Sequence, residues 1–104
     1  RRCMQGHAAC NLVPVVAANR IGVETVKPCE ENGGQSSSLK FYGSSFITDN
    51  TGDIIYQAGR DEEEVIVHKF DLDKLAYDRL SWGLFRDRRP EVYNKAISKE
   101  LIQP

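Results

Sequence analysis

Cys3, His7 and Cys10 are spaced by four and then three residues, which sets two thiols and an imidazole along one side of a helix. A structural zinc ion wants such donors held close together, with a fourth ligand and tight Cys-x-x-Cys pairs. The sequence has no such pair, and small buried thiols with a helix-face histidine account better for these residues. Ser44, Ser45, His68 and Asp71 are the residue types of a hydrolytic triad. No Gly-x-Ser-x-Gly elbow surrounds either serine, and both fall inside an expected strand. Gly43, Ser44 and Ser45 read instead as small residues against which another backbone or side chain packs. Cys29 adjoins Glu30 and Glu31, whose charges raise a thiol pKa and make it a poor nucleophile.

Two charged stretches remain. Asp61 with Glu62, Glu63 and Glu64 reads as a solvated turn that keeps a hairpin end from pairing further. Trp82, Phe85, Arg86, Arg88 and Arg89 combine rings and guanidinium groups that could stack on bases and pair with phosphates. The interleaved Asp87 and Glu91 favour a different reading, a folded or interface segment in which arginines meet carboxylates and aromatics anchor the contact.

The elements that must position these groups follow from patterning. Residues 1–11 read as a helix with small residues at Gly6, Ala8, Ala9 and Cys10, suited to close helix–helix or subunit contact. Residues 12–18 form an apolar run expected to be a strand covered on both faces, although Pro14 removes one donor. Asn19, Arg20 and Gly22 end it with the first polar groups after the buried stretch, where α/β folds tend to place site residues. The polar, Gly- and Ser-rich residues 23–38 predict a long surface loop. A three-stranded antiparallel meander is expected next, from strands within 40–48, 53–58 and 64–70, with Asp49-Asn50-Thr51-Gly52 as the first turn. Asp71 can cap a helix with Leu72, Leu75, Ala76 and Leu80 as its stripe, and Pro90 opens a last helix with Tyr93, Ala96, Ile97 and Leu101 on one face. Residues 81–89 read as extended or turning.

The 104 residues carry a formal net charge of -1, with 40% hydrophobic and 28% charged residues. That balance excludes a general polyanion binder, and no apolar run approaches the roughly 20 residues that span a bilayer. The odd cysteine count argues against a disulfide framework and for a reducing, cytoplasmic setting. A helix that opens without a Ser, Thr, Asp or Asn cap, and a doubly covered strand with too few helices to cover it, lead us to expect the end of a longer polypeptide.

Residues 7–22, His-Ala-Ala-Cys-Asn-Leu-Val-Pro-Val-Val-Ala-Ala-Asn-Arg-Ile-Gly, resemble the segment after the catalytic cysteine in the nitrilase (carbon–nitrogen hydrolase) superfamily. Residues 41–47 and the turn at 49–52 resemble that superfamily's next strand and turn. The run Trp82-Gly83-Leu84-Phe85-Arg86-Asp87-Arg88-Arg89-Pro90 is similar to the tail of its N-carbamoylputrescine amidase branch. The resemblance implies an α+β fold in which residues 1–104 are the C-terminal part of one four-layer αββα sandwich domain, which pairs through its helical faces into an αββα–αββα dimer core and larger homo-oligomers. It implies cofactor-free hydrolysis of a small carbamoyl amine by a Cys-Glu-Lys set that precedes Arg1 in the family's chain. These residues alone would then be inert, completed by the N-terminal part of their own domain, with neither nucleic acid nor membrane as a partner. Asn19, Arg20, Gly43, Ser44 and Ser45 would support the active-site rim. His7, Ala8, Trp82, Phe85, Arg86, Arg88 and Arg89 would make subunit contacts. The alternatives are another N-carbamoyl amidase such as β-ureidopropionase, or a non-catalytic module that binds a partner through residues 82–93.

Overall fold

The computed structural model describes residues 1–97. The chain divides into two compact units, Arg1–Asp71 and Leu72–Pro104. The first holds α1 (Arg2–Asn11), β1 (Val16–Ala17), β2 (Ile21–Val26), β3 (Ser37–Tyr42), β4 (Phe46–Thr48) and β5 (Ile54–Gln57). Helix α1 starts at Arg1 without a side-chain cap. It ends at Leu12, whose left-handed backbone (φ 52°) lets the N–H groups of Leu12 and Val13 reach the carbonyls of Ala9 and Ala8 at 3.4 and 3.2 Å. A leucine is strained there, and its burial beside Ala8 offsets the strain.

One antiparallel sheet runs in the order β1-β4-β5, with Val16 opposite Ile47 and Phe46 opposite Gln57. Its centre is the core: Phe46 and Ile47 are buried with Ala8 and Leu12, and Thr48 is completely buried. A hydroxyl in that position must be bonded, and Thr48 Oγ1 accepts the Val15 N–H at 2.9 Å while Thr48 N donates to Val15 O at 2.9 Å. The link covers the stretch beside the register shift between Ile47 and Thr48.

The β4–β5 turn is built by Asp49 as its residue type predicts. Its Oδ1 accepts the Thr51 hydroxyl at 2.7 Å, the Thr51 N–H at 2.8 Å and the Asp53 N–H at 3.1 Å. Partial burial alone would raise this carboxyl; the hydrogen bonds from Thr51, Asp53 and Gly52 outweigh it and hold the pKa below the ordinary 3.8. A folded value below the unfolded one stabilises the turn fully above pH 3.8, and the contribution is lost as pH falls through the lower folded value. Acid titration followed by circular dichroism should show that loss, and Asp49→Asn should flatten this part of the curve.

The second sheet is the β2–β3 hairpin, six pairs from Ile21↔Tyr42 to Val26↔Ser37. It takes residues 23–26 and 37–38 out of the surface loop expected over residues 23–38, leaving a connection at 27–36. Its side chains are nearly all exposed, so no alternation toward a core marks it, and cross-strand pairs such as Thr25–Ser38, hydroxyl to hydroxyl at 3.2 Å, do the holding.

Three other expectations are corrected. The strand expected over 12–18 is reduced to β1, paired on one edge only; Val16 is 67% exposed rather than doubly covered, and Pro14 cannot donate to a ladder. The single strand expected across 41–47 breaks at residues 43–45 into β3 and β4, because Gly43 and Ser44 both take positive φ, 54° and 59°. The third meander strand, 64–70, does not form.

The second unit contains α2 (Leu72–Trp82) and α3 (Pro90–Ile97). Each has an acidic residue in its first turn, Asp73 or Glu91, and a basic one in its last, Arg79 or Lys95, which complements the helix dipole. Ser81 and Trp82 extend α2 into the stretch expected to be non-helical. Gly83 (φ 64°) ends it, its N–H bonded to Arg79 O at 3.1 Å. Residues 84–87 then turn into α3. Leu101 lies outside the described residues.

Candidate functional site

The break between β3 and β4 is where the expected rim residues meet. Asn19, just past β1, donates from Nδ2 to Gly43 O at 2.9 Å and accepts the Arg20 N–H on Oδ1 at 2.9 Å. Ser45 Oγ accepts the Asn19 N–H at 2.8 Å and donates to Asn19 O at 3.3 Å. The backbone closes the corner from two more sides: Gly43 N donates to Arg20 O at 2.9 Å, Ser44 N to Gly59 O at 3.0 Å and Ala58 N to Ser45 O at 2.7 Å. Gly43 is required because the corner is crowded as well as left-handed. A Cβ there would sit 2.7 Å from Ile21 Cγ2 and 2.8 Å from Gly59 O.

This corner is the shared wall of two open clefts. One, of about 640 Å³, runs from Asn19, Arg20, Gly43 and Ser45 across to Gly59 and residues 62–66. The other, of about 480 Å³, takes in Ala17, Ala18, Tyr42, Ser44, Phe46 and Gln57. Arg20 turns its guanidinium to Glu24 at 3.0 Å and lies over the Phe41 ring at 4.1 Å.

Glu64 faces the corner in the larger cleft and was not singled out by sequence reasoning, which left it in a solvated acidic turn. Its Oε1 accepts the Tyr56 hydroxyl and its Oε2 the Gly59 N–H, both at 2.7 Å. The Tyr56 bond first, and the Gly59 bond second, hold the Glu64 carboxyl below its ordinary value, and the same contact raises the Tyr56 phenol. The signal available beforehand was the expected pairing of 53–58 with 64–70, which sets Glu64 beside the end of β5.

The triad candidates do not assemble. Ser45 Oγ is taken up by Asn19, Ser44 Oγ donates to Tyr42 O at 3.1 Å, and the His68 ring meets Phe70 edge-on at 4.6 Å. Cys3, His7 and Cys10 are all exposed on α1, and Cys29 is exposed in the β2–β3 connection. No group of three or more His, Cys, Asp or Glu among the described residues could hold a metal ion.

Of the residues expected at subunit contacts, Ala8 is corrected: it is completely buried inside its own unit and offers no surface to a partner. His7 is exposed. In the second unit Arg86 binds Asp87 through two bonds of 2.8 and 3.1 Å, Arg88 lies 3.5 Å over the Phe85 ring, and Arg89 meets Glu91 at 2.6 Å. The arginines thus pair with neighbouring carboxylates and a ring, while Trp82 and Phe85 stay 69% and 66% exposed.

If Asn19 ties the corner, Asn19→Ala leaves the Gly43 carbonyl without its donor and should cost about 1–2 kcal/mol. Urea unfolding checks this: an unchanged midpoint would mean that water replaces Asn19 at no cost.

A family model described as carbon-nitrogen hydrolase matches residues 1–79. The chain is 47% identical over 104 residues to N-carbamoylputrescine amidase of Solanum tuberosum, covering 100% of this chain and 33% of that protein. It is 52% identical over 98 residues to N-carbamoylputrescine amidase of Oryza sativa subsp. japonica (94% and 31%), and 44% identical over 99 residues to citrullinase of Francisella tularensis (95% and 32%). The crystal structure of a carbon-nitrogen hydrolase from Helicobacter pylori superposes with a TM-score of 0.71 at 31% identity, covering 94% of this chain and 32% of that one. The chain spans about a third of the length of the curated relatives it matches.

Proposed function

Because the chain belongs to the carbon–nitrogen hydrolase family, we propose that it is the C-terminal part of an amidase that hydrolyses N-carbamoylputrescine to putrescine, carbon dioxide and ammonia, a step that yields a polyamine. The observation that carries the reading is the 52% identity, over nearly the whole chain, to a protein named for that activity. In this reading the reacting groups lie outside these residues. A cysteine thiolate adds to the carbamoyl carbon, a lysine stabilises the oxyanion, and a glutamate passes the thiol proton to the departing amine. Water, deprotonated by the same glutamate, then releases carbamate from the enzyme, and carbamate breaks down to carbon dioxide and ammonia.

The present residues contribute scaffold. The Asn19–Ser45 corner supports the rim, and the four-layer αββα arrangement is completed by the preceding part of the domain. His7, Trp82, Phe85, Arg86, Arg88 and Arg89 contribute contacts in a homo-oligomer of dimers. Among the described residues no helix is long and apolar enough to cross a membrane; the enzyme in this reading works in the cytoplasm.

The likeness to a citrullinase favours a second substrate, since citrulline carries the same carbamoyl-amine group on an amino acid. Ammonia release by the complete polypeptide from N-carbamoylputrescine, citrulline and N-carbamoyl-β-alanine, compared as kcat/KM, tests the reading. Preference for the first supports it. Preference for citrulline or N-carbamoyl-β-alanine reassigns the substrate, and no turnover of any overturns the amidase reading in favour of a binding role for residues 82–93.

A further inference from the structure

In the connection between β2 and β3, Asn32 is followed by Gly33 and Gly34. The other asparagines, Asn11, Asn19, Asn50 and Asn94, all precede a residue with a side chain. The half-buried Asn32 side chain is the hub of the connection. Its Oδ1 accepts the backbone N–H of Cys29 at 3.1 Å and of Gln35 at 3.0 Å, while Nδ2 donates to Lys27 O at 3.0 Å and Gln35 O at 3.4 Å. Two N–H groups on one carbonyl oxygen draw electron density from Cγ. They are also placed to hold the charge that this oxygen gains when a nucleophile adds, as the donors of an oxyanion hole are. The backbone nitrogen of the next residue is the nucleophile that the chain itself brings near. Gly33 has no Cβ to keep its nitrogen from Cγ. Gly33 and Gly34 are exposed at φ 67° and 72°, and a Cβ on either would meet nothing within 4 Å, so the backbone has open space in which to shift.

We propose that Asn32 is a site of spontaneous deamidation in the folded protein, with the Gly33 backbone nitrogen as the attacking group and water as the co-reactant. Gly33 N bonds to Asn32 Cγ and gives up its proton; the Cγ–Nδ2 bond breaks, and Nδ2 takes up one proton and leaves as ammonia. A five-membered imide remains. Water then opens it at one of two bonds. Cleavage between Cγ and Gly33 N leaves aspartate at position 32, and cleavage between the Asn32 main-chain carbonyl carbon and Gly33 N leaves isoaspartate, whose main chain runs through the former side chain. No atom is oxidised or reduced. Either product lacks Nδ2 and its two donated bonds, and a carboxylate has no proton to offer Lys27 O and Gln35 O in their place. It also adds one negative charge beside Glu30 and Glu31. The hub is thereby loosened at the end of the β2–β3 hairpin, next to the Val26↔Ser37 pair. This chemistry is independent of what the complete polypeptide hydrolyses.

Incubation of the complete folded polypeptide at mildly alkaline pH, followed by peptide mapping with mass spectrometry, tests this. The mass gain of an amide turned carboxyl should accumulate at Asn32, as a mixture of aspartate and isoaspartate, while Asn11, Asn19, Asn50 and Asn94 stay unchanged. Its rate should be no less than about a tenth of that in a free peptide of residues 27–37, as for an exposed loop that opens at little cost. Gly33→Ala places a methyl group in open space, and should slow the conversion at least about tenfold by obstructing the approach of the nitrogen. A native rate below that tenth would mean that the four hydrogen bonds shield Asn32, and overturns the proposal. Equal conversion at another asparagine, an undiminished rate in Gly33→Ala, or aspartate formed without isoaspartate overturns the attack by Gly33 N.

Discussion

Replacing Gly43 with alanine is expected to destabilise the first unit by about 2–4 kcal/mol, from a left-handed penalty of about 1 kcal/mol and a steric cost of about 1–3 kcal/mol. The steric part cannot relax cheaply. The new Cβ meets a main-chain oxygen, Gly59 O, at 2.8 Å and the Arg60 Cα at 3.2 Å, as well as Ile21 Cγ2 at 2.7 Å. Nor can Gly43 swing away, because its N–H is held by Arg20 O and its carbonyl by Asn19 Nδ2. Ser44→Gly is the matched control at the next residue, also left-handed at φ 59°. It relieves strain of about 1 kcal/mol but loses the Ser44–Tyr42 bond and adds glycine's backbone entropy, so the net change should stay within about 0.5 kcal/mol. Urea midpoints decide: equal effects at the two positions would show that backbone conformation, and not the close approach of Gly59, fixes the corner. If the complete polypeptide is the amidase proposed above, its activity should fall in step with the folded fraction for Gly43→Ala and stay near wild type for Ser44→Gly.

That corner shows what could be read in advance and what could not. The small residues 43–45 announced a close approach, and Asn19 and Arg20 announced the end of a buried run, so the structure's meeting of the five is in keeping with their chemistry. The break in the strand was hidden, because nothing in Phe-Tyr-Gly-Ser-Ser-Phe distinguishes a continuous strand from two strands joined by left-handed residues. The helices were legible from spacing and from Pro90, and the Asp49 turn from its residue types. The β2–β3 hairpin was not, since a ribbon exposed on both faces carries no period-2 apolar signal. Residues 64–70 offer the contiguous apolar run Val65-Ile66-Val67 and yet form no strand. Patterning reports that a face wants burial; it does not report which segment supplies it. Ala8 illustrates the same limit on a helix, where a small residue suits an interface and an interior equally well.

Gly52→Ala should have an effect of similar size, about 2–4 kcal/mol, by a different route. Gly52 is buried at φ 88° in the β4–β5 turn, and a Cβ there would lie 2.7 Å from Gln5 O and 3.2 Å from Ala9 Cβ. Both neighbours belong to α1, so the clash is with a helix backbone whose carbonyl is already engaged in its own ladder. The same approach is fastened by Gln5 Nε2, which donates to Gly52 O at 3.0 Å. The cheapest response is to lift the turn off α1, which uncovers Ala8 and Leu12 and separates half of the small core from Phe46 and Ile47. Gln5→Ala removes only the hydrogen bond and leaves the turn free to stay seated, so it should cost about 1 kcal/mol. Far-ultraviolet circular dichroism together with urea unfolding separates the routes. Gly52→Ala should lose the signal of α1, an uncapped helix of ten residues that is marginal without its packing, whereas Gly43→Ala at the same folded fraction should keep it. Retention of the helical signal in Gly52→Ala alongside an unchanged midpoint would mean that the turn does not hold α1 in place.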